Sequence, residues 1–192
     1  MLSKVLAAYC LGINRLVYWI GVSASVLMPI LALTVAFEVF SRYVLGKPTI
    51  WAYDVSLFLF GYIAALGGAL AQQNKAHINV DVFYLSVSMR VRSLFNLVSY
   101  SLAIFFLSVV LMMALGKFEE AIEFNYRRQS EWAPSMAHFW VMMMVACGAF
   151  IVQFTSDMLQ DLYYVVTGKS LIEQQVEEQQ PSESLLEQAG DV

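Results

Sequence analysis

The chain of 192 residues is 59% hydrophobic and 14% charged, and it carries a formal net charge of −4. Soluble domains are usually about 45–50% apolar and about 25% charged, so this composition argues against a soluble enzyme, a disordered protein or a nucleic-acid-binding protein. The length suits a small helical membrane bundle. Six acids and no base follow Lys169, so the acidity belongs to the C-terminal tail, and the rest of the chain is slightly basic.

Long apolar stretches predict four membrane-spanning helices, since a bilayer core of about 30 Å needs about 20 apolar residues as a helix. Helices also satisfy their own backbone hydrogen bonds in lipid. We place the spans at 16–37, 52–73, 93–116 and 134–160, each without charge at its centre. Residues 1–168 are thus predicted to form one all-α integral membrane domain. Residues 169–192 form an acidic tail with too little apolar surface to fold alone.

The first span is predicted to be retained in the membrane. Its apolar stretch is longer than the roughly 7–15 residues of a signal-peptide core, and no small-residue cleavage site follows it. Pro29 predicts a kink within this span.

Four spans put both termini on one side of the membrane. With the termini inside, the cytoplasmic side has six bases and the other side five, so the positive-inside rule weakly favours cytoplasmic termini.

Ionisable residues near the span ends are the first functional candidates. Glu38 and Arg42 are four residues apart, and a helix places them on one face as an ion pair. An interfacial anchor and a contact with a partner subunit are equally favoured for this pair. Asp54 falls in the first turn of the second span, where a carboxylate stabilises the positive end of the helix dipole. That structural role is favoured over proton transfer.

Small residues form a stripe along the second span. Gly61, Ala65 and Ala69 recur every four residues, and Gly68 lies beside them. Such a stripe lets two helix backbones approach closely. It predicts close packing of this span against another helix, in this chain or in a partner.

Polar residues form a second stripe near the end of the fourth span. Gln153, Asp157 and Asp161 recur every four residues. We interpret them as the water-facing side of a helix that emerges from the membrane. A cation site would need oxygen ligands at greater depth and from a second segment.

The two histidines argue against a haem site. His77 follows the second span and His138 begins the fourth, so the predicted topology puts them on opposite sides of the membrane. One haem cannot bridge them. The sequence has no nucleotide-binding glycine loop, nucleophile elbow or zinc-ligand spacing. We therefore predict no catalytic residue, no cofactor and no metal site in this chain.

Several short motifs between Arg42 and Pro134 resemble those of a transporter family. They are Arg42-Tyr43-Val44-Leu45-Gly46, Trp51-Ala52-Tyr53-Asp54, Leu66-Gly67-Gly68-Ala69, His77-Ile78-Asn79-Val80-Asp81 and Ser130-Glu131-Trp132-Ala133-Pro134. Their order and spacing are similar to those of the small permease subunit of tripartite ATP-independent periplasmic (TRAP) transporters. The chain departs from the family pattern at Asp54, where Glu is commoner, and at Met89, where a proline is common.

The resemblance implies a three-part importer in the bacterial inner membrane. A periplasmic binding protein captures an organic anion, often a carboxylate, and a large permease subunit carries the substrate and sodium sites. The small subunit has four spans and cytoplasmic termini. It steadies the large subunit in the lipid and helps to receive the binding protein. The resemblance implies no enzymatic activity, no cofactor of its own and no nucleic-acid partner.

The residues predicted to shape the fold or contact partners are Arg42, Trp51, Asp54, Gly61, Gly68, His77, Asp81 and Trp132. The first three belong to the first hairpin, and His77 and Asp81 belong to the turn on the cytoplasmic side. Two other functions stay open. A membrane anchor of a redox complex predicts haem or quinone in the purified protein, and a free-standing channel predicts flux through liposomes from this chain alone.

Overall fold

The computed structural model describes residues 2–76, 88–168 and 171. In this part the chain forms five α-helices, α1 (Leu2–Ser25), α2 (Leu27–Tyr43), α3 (Ala52–Gln73), α4 (Met89–Glu123) and α5 (Ala137–Thr167). The helical stretches long and apolar enough to cross a membrane are Val5–Tyr43, Ala52–Gln73, Arg90–Glu123 and Ala137–Thr167. The prediction of an all-α protein with four spans is confirmed. The turn with His77 and Asp81 lies outside the described residues, as does the acidic tail apart from Leu171.

The first span consists of α1 and α2, which are interrupted only at Val26. Pro29 has no N–H to donate to the carbonyl four residues earlier, so the helix lacks one hydrogen bond at this place. Val26 keeps helical dihedral angles (φ −64°, ψ −23°), so the chain does not turn there. The helix begins at Leu2, well before the predicted start of the span at residue 16. The first half of α1 therefore extends beyond the length that the lipid requires.

Successive spans run antiparallel, which gives the bundle two distinct ends. We call the end with the loops 44–51 and 124–136 the loop end, and the ion pair between Asp54 and Arg128 joins the start of α3 to the second loop there. The N-terminal half of α1 and the C-terminal half of α5 meet at the opposite end, which we call the terminal end.

Helix α5 lies at the centre of the packing, because it contacts α1, α3 and α4. The apolar core is formed by Ile13 and Val17 of α1, Ala69 of α3 and Ala149 of α5. Helix α2 packs on α3, and α4 packs along α5. The outward faces of α2 and α4 are apolar and exposed, which suits a protein that is surrounded by lipid or by partner helices.

Gly68 is the residue of the small stripe whose size matters most for packing. A Cβ atom at this position would lie 2.5 Å from Cζ of Phe150 in α5, which is closer than real contacts allow. A Cβ at Gly61 would lie 3.7 Å from Cε2 of Phe139, an ordinary van der Waals contact. The stripe therefore packs against α5 of the same chain, most closely at Gly68.

Candidate functional site

Glu38 ties the end of α2 to the loop before α3. Its Oε1 accepts hydrogen bonds from Arg42, at 2.5 Å from Nη2 and 3.0 Å from Nε. Its Oε2 accepts from the backbone N–H of Thr49 at 3.1 Å and from the Thr49 hydroxyl. The predicted pair of Glu38 and Arg42 is therefore present, and it also fixes the loop. The Arg42 side chain is 52% exposed and is accessible to a headgroup or a partner.

The loop itself is short and internally hydrogen-bonded. The backbone N–H of Lys47 donates to the Ser41 carbonyl at 3.0 Å, and Gly46 has a φ of +65°, which glycine adopts without strain. The Trp51 ring stacks on Phe37 with a centroid distance of 6.0 Å. Trp51 thus holds the end of the loop against α2.

Asp54 is fully buried and is the centre of the loop end. Its Oδ1 lies 2.8 Å from Nε of Arg128, and its Oδ2 accepts a hydrogen bond from the Ser130 hydroxyl. The Arg128 guanidinium also lies over two rings, 5.7 Å from the Tyr53 centroid and 6.0 Å from that of Phe58. Asp54 therefore links the start of α3 to the loop between α4 and α5.

The sequence predicted neither Arg128 nor Ser130 as a partner of Asp54. A carboxylate near membrane depth needs a compensating group, and Arg127-Arg128 is the chain's one pair of adjacent arginines. This need for a compensating base was the signal in the sequence that could have pointed to Arg128. The structure does not bring Arg42 to Asp54, because Arg42 is held by Glu38 on α2.

The loop 124–136 positions Arg128 through its own backbone pairing. Arg127 and Ser135 form an isolated antiparallel bridge, and the Arg128 N–H donates to the Pro134 carbonyl at 2.9 Å. Trp132 lies in the same loop and is 42% exposed. Its ring is therefore accessible at the loop end, outside the contacts of Asp54.

At the terminal end, the predicted polar stripe faces the interior of the bundle. Gln153 is 1% exposed, and its Nε2 donates to Asp157 Oδ1 at 2.9 Å and to Asn14 Oδ1 at 3.2 Å. The other oxygen of Asp157 accepts from Gln72 Nε2 at 3.3 Å. The prediction of a water-facing stripe is wrong, because residues of α1, α3 and α4 cover this face of α5.

Asp161 extends the same network to α4. Its Oδ1 accepts from the Ser93 hydroxyl at 3.2 Å, and its Oδ2 accepts from Asn96 Nδ2 at 2.9 Å. Polar side chains of α1, α3, α4 and α5 thus converge on two carboxylates. We call this set the polar network; its members are Asn14, Gln72, Ser93, Asn96, Gln153, Asp157 and Asp161.

His138 lies near the loop end, where it contacts aromatic side chains. Its Nδ1 shares a hydrogen bond with the Tyr62 hydroxyl, and its ring meets the Phe58 ring edge-on at a centroid distance of 4.7 Å. This histidine therefore joins α5 to α3.

Residues 31–163 match the family model of tripartite ATP-independent periplasmic transporters, DctQ component. The chain belongs to this family. The match includes Asp54, Arg128 and both carboxylates of the polar network, whereas Asn14 precedes it. The chain matches no curated protein at a significant level.

As a member of the DctQ family, the protein is a small membrane subunit of a TRAP transporter, located in the inner membrane. The family consists of transporter components and not of enzymes. It works in a tripartite complex with a large permease and a binding protein. The resemblance found in the sequence is thereby confirmed.

Proposed function

We propose that this subunit belongs to a sodium-coupled importer of an organic anion, for which it acts as a scaffold. In this proposal it binds beside the large permease subunit, steadies it in the membrane and helps to dock the periplasmic binding protein. The substrate and the coupling sodium ions bind the large subunit. The family match carries the proposal, and the exposed apolar helices indicate where the contact lies.

Helix α2 is the surface that we assign to the large permease. Among the described helices, only α3 has extensive contacts with α2. Most of the surface of α2 is therefore uncovered. Leu33 is 70% exposed, and Phe37 and Phe40 are about half exposed. Partner helices can cover this face without displacing any helix of the bundle. Since lipid tails are as apolar as leucine, close packing would favour the partner over lipid.

The loop end is the surface that we assign to the periplasm. Cytoplasmic termini place the loops 44–51 and 124–136 there, within reach of a soluble binding protein. Exposed charges of both signs stand at this end, including Arg127 and Glu131 in the second loop. At the terminal end Arg15, Lys75 and Arg90 are exposed, and the positive-inside rule favours such bases in the cytoplasm.

Affinity capture of the tagged chain from detergent-solubilised native membranes tests this function. We expect a large, many-span permease at about equal stoichiometry. Arg42→Ala, which changes an exposed group, should weaken capture or substrate uptake, and Lys117→Ala is the matched control because its ion pair with Glu120 lies at the same end. Soluble redox subunits, or no membrane partner, would overturn the proposal.

A further inference from the structure

Two helices of the terminal end continue past the level at which α3 ends. Hydrogen bonds of the polar network tie Asn14 of α1 and Asp157 of α5 to the level of Gln72, the next-to-last residue of α3. From that level α1 continues for about 18 Å to its first residue, and α5 for about 15 Å to its last. We call this projection the stub; it consists of residues 2–13 and 158–167.

The outer half of the stub stands in water. Helix α3 has 22 residues and is therefore about 33 Å long, which already matches a hydrocarbon core of about 30 Å. The headgroup layer adds only about 5–8 Å on each side of the core. Both helices of the stub are long enough to pass through that layer, so their last turns lie beyond the lipid.

The outward surface of the stub is apolar, although lipid does not surround it. Val5 is 65% exposed, Tyr9 and Leu11 are half exposed, and Val166 on α5 is 77% exposed. The exposed Arg15 follows Leu11 by four residues, so both stand on one face of α1. Contiguous apolar side chains in water usually mark an interaction surface. The stub therefore has a face that fits an apolar and acidic occupant.

The chain leaves α5 beside this surface. Gly168 ends the helix in the left-handed conformation (φ +69°), and a Cβ at this position would lie 3.6 Å from Nη2 of Arg90. Leu171 is partly buried. The tail thus begins next to an exposed arginine and close to the bundle.

The tail is long enough to reach α1. Leu185 follows Gly168 by 17 residues, and a flexible chain of this length has an end-to-end distance of about 20–25 Å. Packed helices have axes about 8–10 Å apart, and α1 packs on α5 through the contact of Cys10 with the Ser156 carbonyl. The outward face of α1 is therefore within reach.

We propose that the C-terminal tail docks on the stub, with Leu185 and Leu186 on the apolar face of α1 and with Glu183 and Glu187 near Arg15. The tail has six acids and no base after Lys169, whereas the exposed charges around the stub include arginines of α1 and α4. The tail has too little apolar surface to fold alone, and the stub supplies the surface that it lacks.

The docked tail would act as a cover that this chain carries itself. The leucines would contribute most of the affinity, because ion pairs at an exposed surface are weak and are screened by salt. High salt should therefore weaken docking without abolishing it. The proposal requires neither the large permease nor a particular side of the membrane for the termini.

Photo-crosslinking of the purified full chain tests the proposal, with one chain in each nanodisc of phosphatidylcholine. The probe is Tyr9→p-benzoylphenylalanine, which replaces one exposed aromatic side chain by another. Mass spectrometry should find intramolecular crosslinks to residues 182–189. Phe105→p-benzoylphenylalanine is the matched control, because Phe105 is exposed in the middle of α4 and should label lipid alone. Crosslinks from the Tyr9 probe to lipid alone, or none, overturn the proposal.

Variants separate docking from mere proximity of the tail. Joint replacement by Leu185→Ser and Leu186→Ser should lower the crosslink yield about fivefold, and Arg15→Gln about twofold. Lys117→Gln, an exposed base at the loop end, should leave the yield unchanged. A yield that survives the double serine replacement contradicts the proposal. Capture of another protein by the Tyr9 probe in native membranes, without crosslinks to the tail, would assign the surface to a partner and also overturn it.

Discussion

The two ends of the bundle bury carboxylates in different ways. At the loop end, Asp54 is paired with Arg128 and bonded to Ser130 within a short, internally paired loop. At the terminal end, Asp157 and Asp161 are surrounded by neutral amides and hydroxyls from three other helices. An ion pair fixes one loop on one helix, whereas the network joins four helices through many weaker bonds. The loop end is therefore expected to be sensitive to single substitutions, and the terminal end more tolerant.

The largest expected effect is that of Arg128→Met. It leaves Asp54 buried without its charged partner, and breaking a buried pair in this way costs about 3 kcal/mol or more. The free energy of unfolding of the reconstituted chain measures the loss. Adding Asp54→Asn to this variant should restore much of the stability, because no unpaired charge then remains. A double variant as unstable as the single one would show that Arg128 acts through packing alone.

A smaller loss is expected for Asp157→Asn. The carboxamide keeps one oxygen acceptor and gives up the other, so one of the two hydrogen bonds from Gln72 and Gln153 is lost, at a cost of about 1.5 kcal/mol. Removing a charge that is largely buried offsets part of this cost, so the net loss should be smaller. The same unfolding measurement compares it directly with Arg128→Met. A loss larger than that of Arg128→Met would reverse the ranking of the two ends.

Gly68→Ala tests how tightly the helices pack beside the polar network. The added Cβ would lie 2.5 Å from the tip of the Phe150 ring, so this ring must move, at a cost of about 1 kcal/mol. Gly61→Ala is the control, since its Cβ makes only an ordinary contact with Phe139. Alanine is also the better helix former, so the control should be neutral or slightly stabilising. Equal stability of the two variants would show that Phe150 relaxes freely.

The smallest effect on stability is expected for Arg42→Ala. The Arg42 side chain is half exposed, and Glu38 keeps its hydrogen bonds from Thr49 when Arg42 is removed, so the loss of the pair should cost little. The unfolding free energy should stay within the error of measurement, while capture of the large permease changes as proposed above. A large loss of stability would mean that the contact between Glu38 and Arg42 holds the first hairpin together.

The sequence predicted four membrane-spanning helices correctly, because lipid imposes a length and a composition that can be counted. It also placed Asp54 correctly in the first turn of α3. It did not predict the partner of Asp54, because Arg128 is 74 residues away and comes close only when the loop 124–136 folds against the start of α3. Spacing along one helix says nothing of such contacts.

The predicted orientation of the polar stripe was wrong for a related reason. Spacing shows that Gln153 and Asp157 share a face, but not what covers that face. Helices α3 and α4 cover the two carboxylates, and the first half of α1, which the limit at residue 16 left out of the first span, covers Gln153. Asn14 lies just before that limit, and its contact with Gln153 is what turns a surface stripe into an interior one.

The central place of α5 has a consequence for biosynthesis. This helix leaves the ribosome after the other described spans, yet α1, α3 and α4 all pack on it. Until it inserts, Asn14 and Gln72 lack the partners that α5 supplies to them. A chain stopped before α5 would thus leave both amides without these partners, a feature by which proteolysis can distinguish unfinished subunits from finished ones.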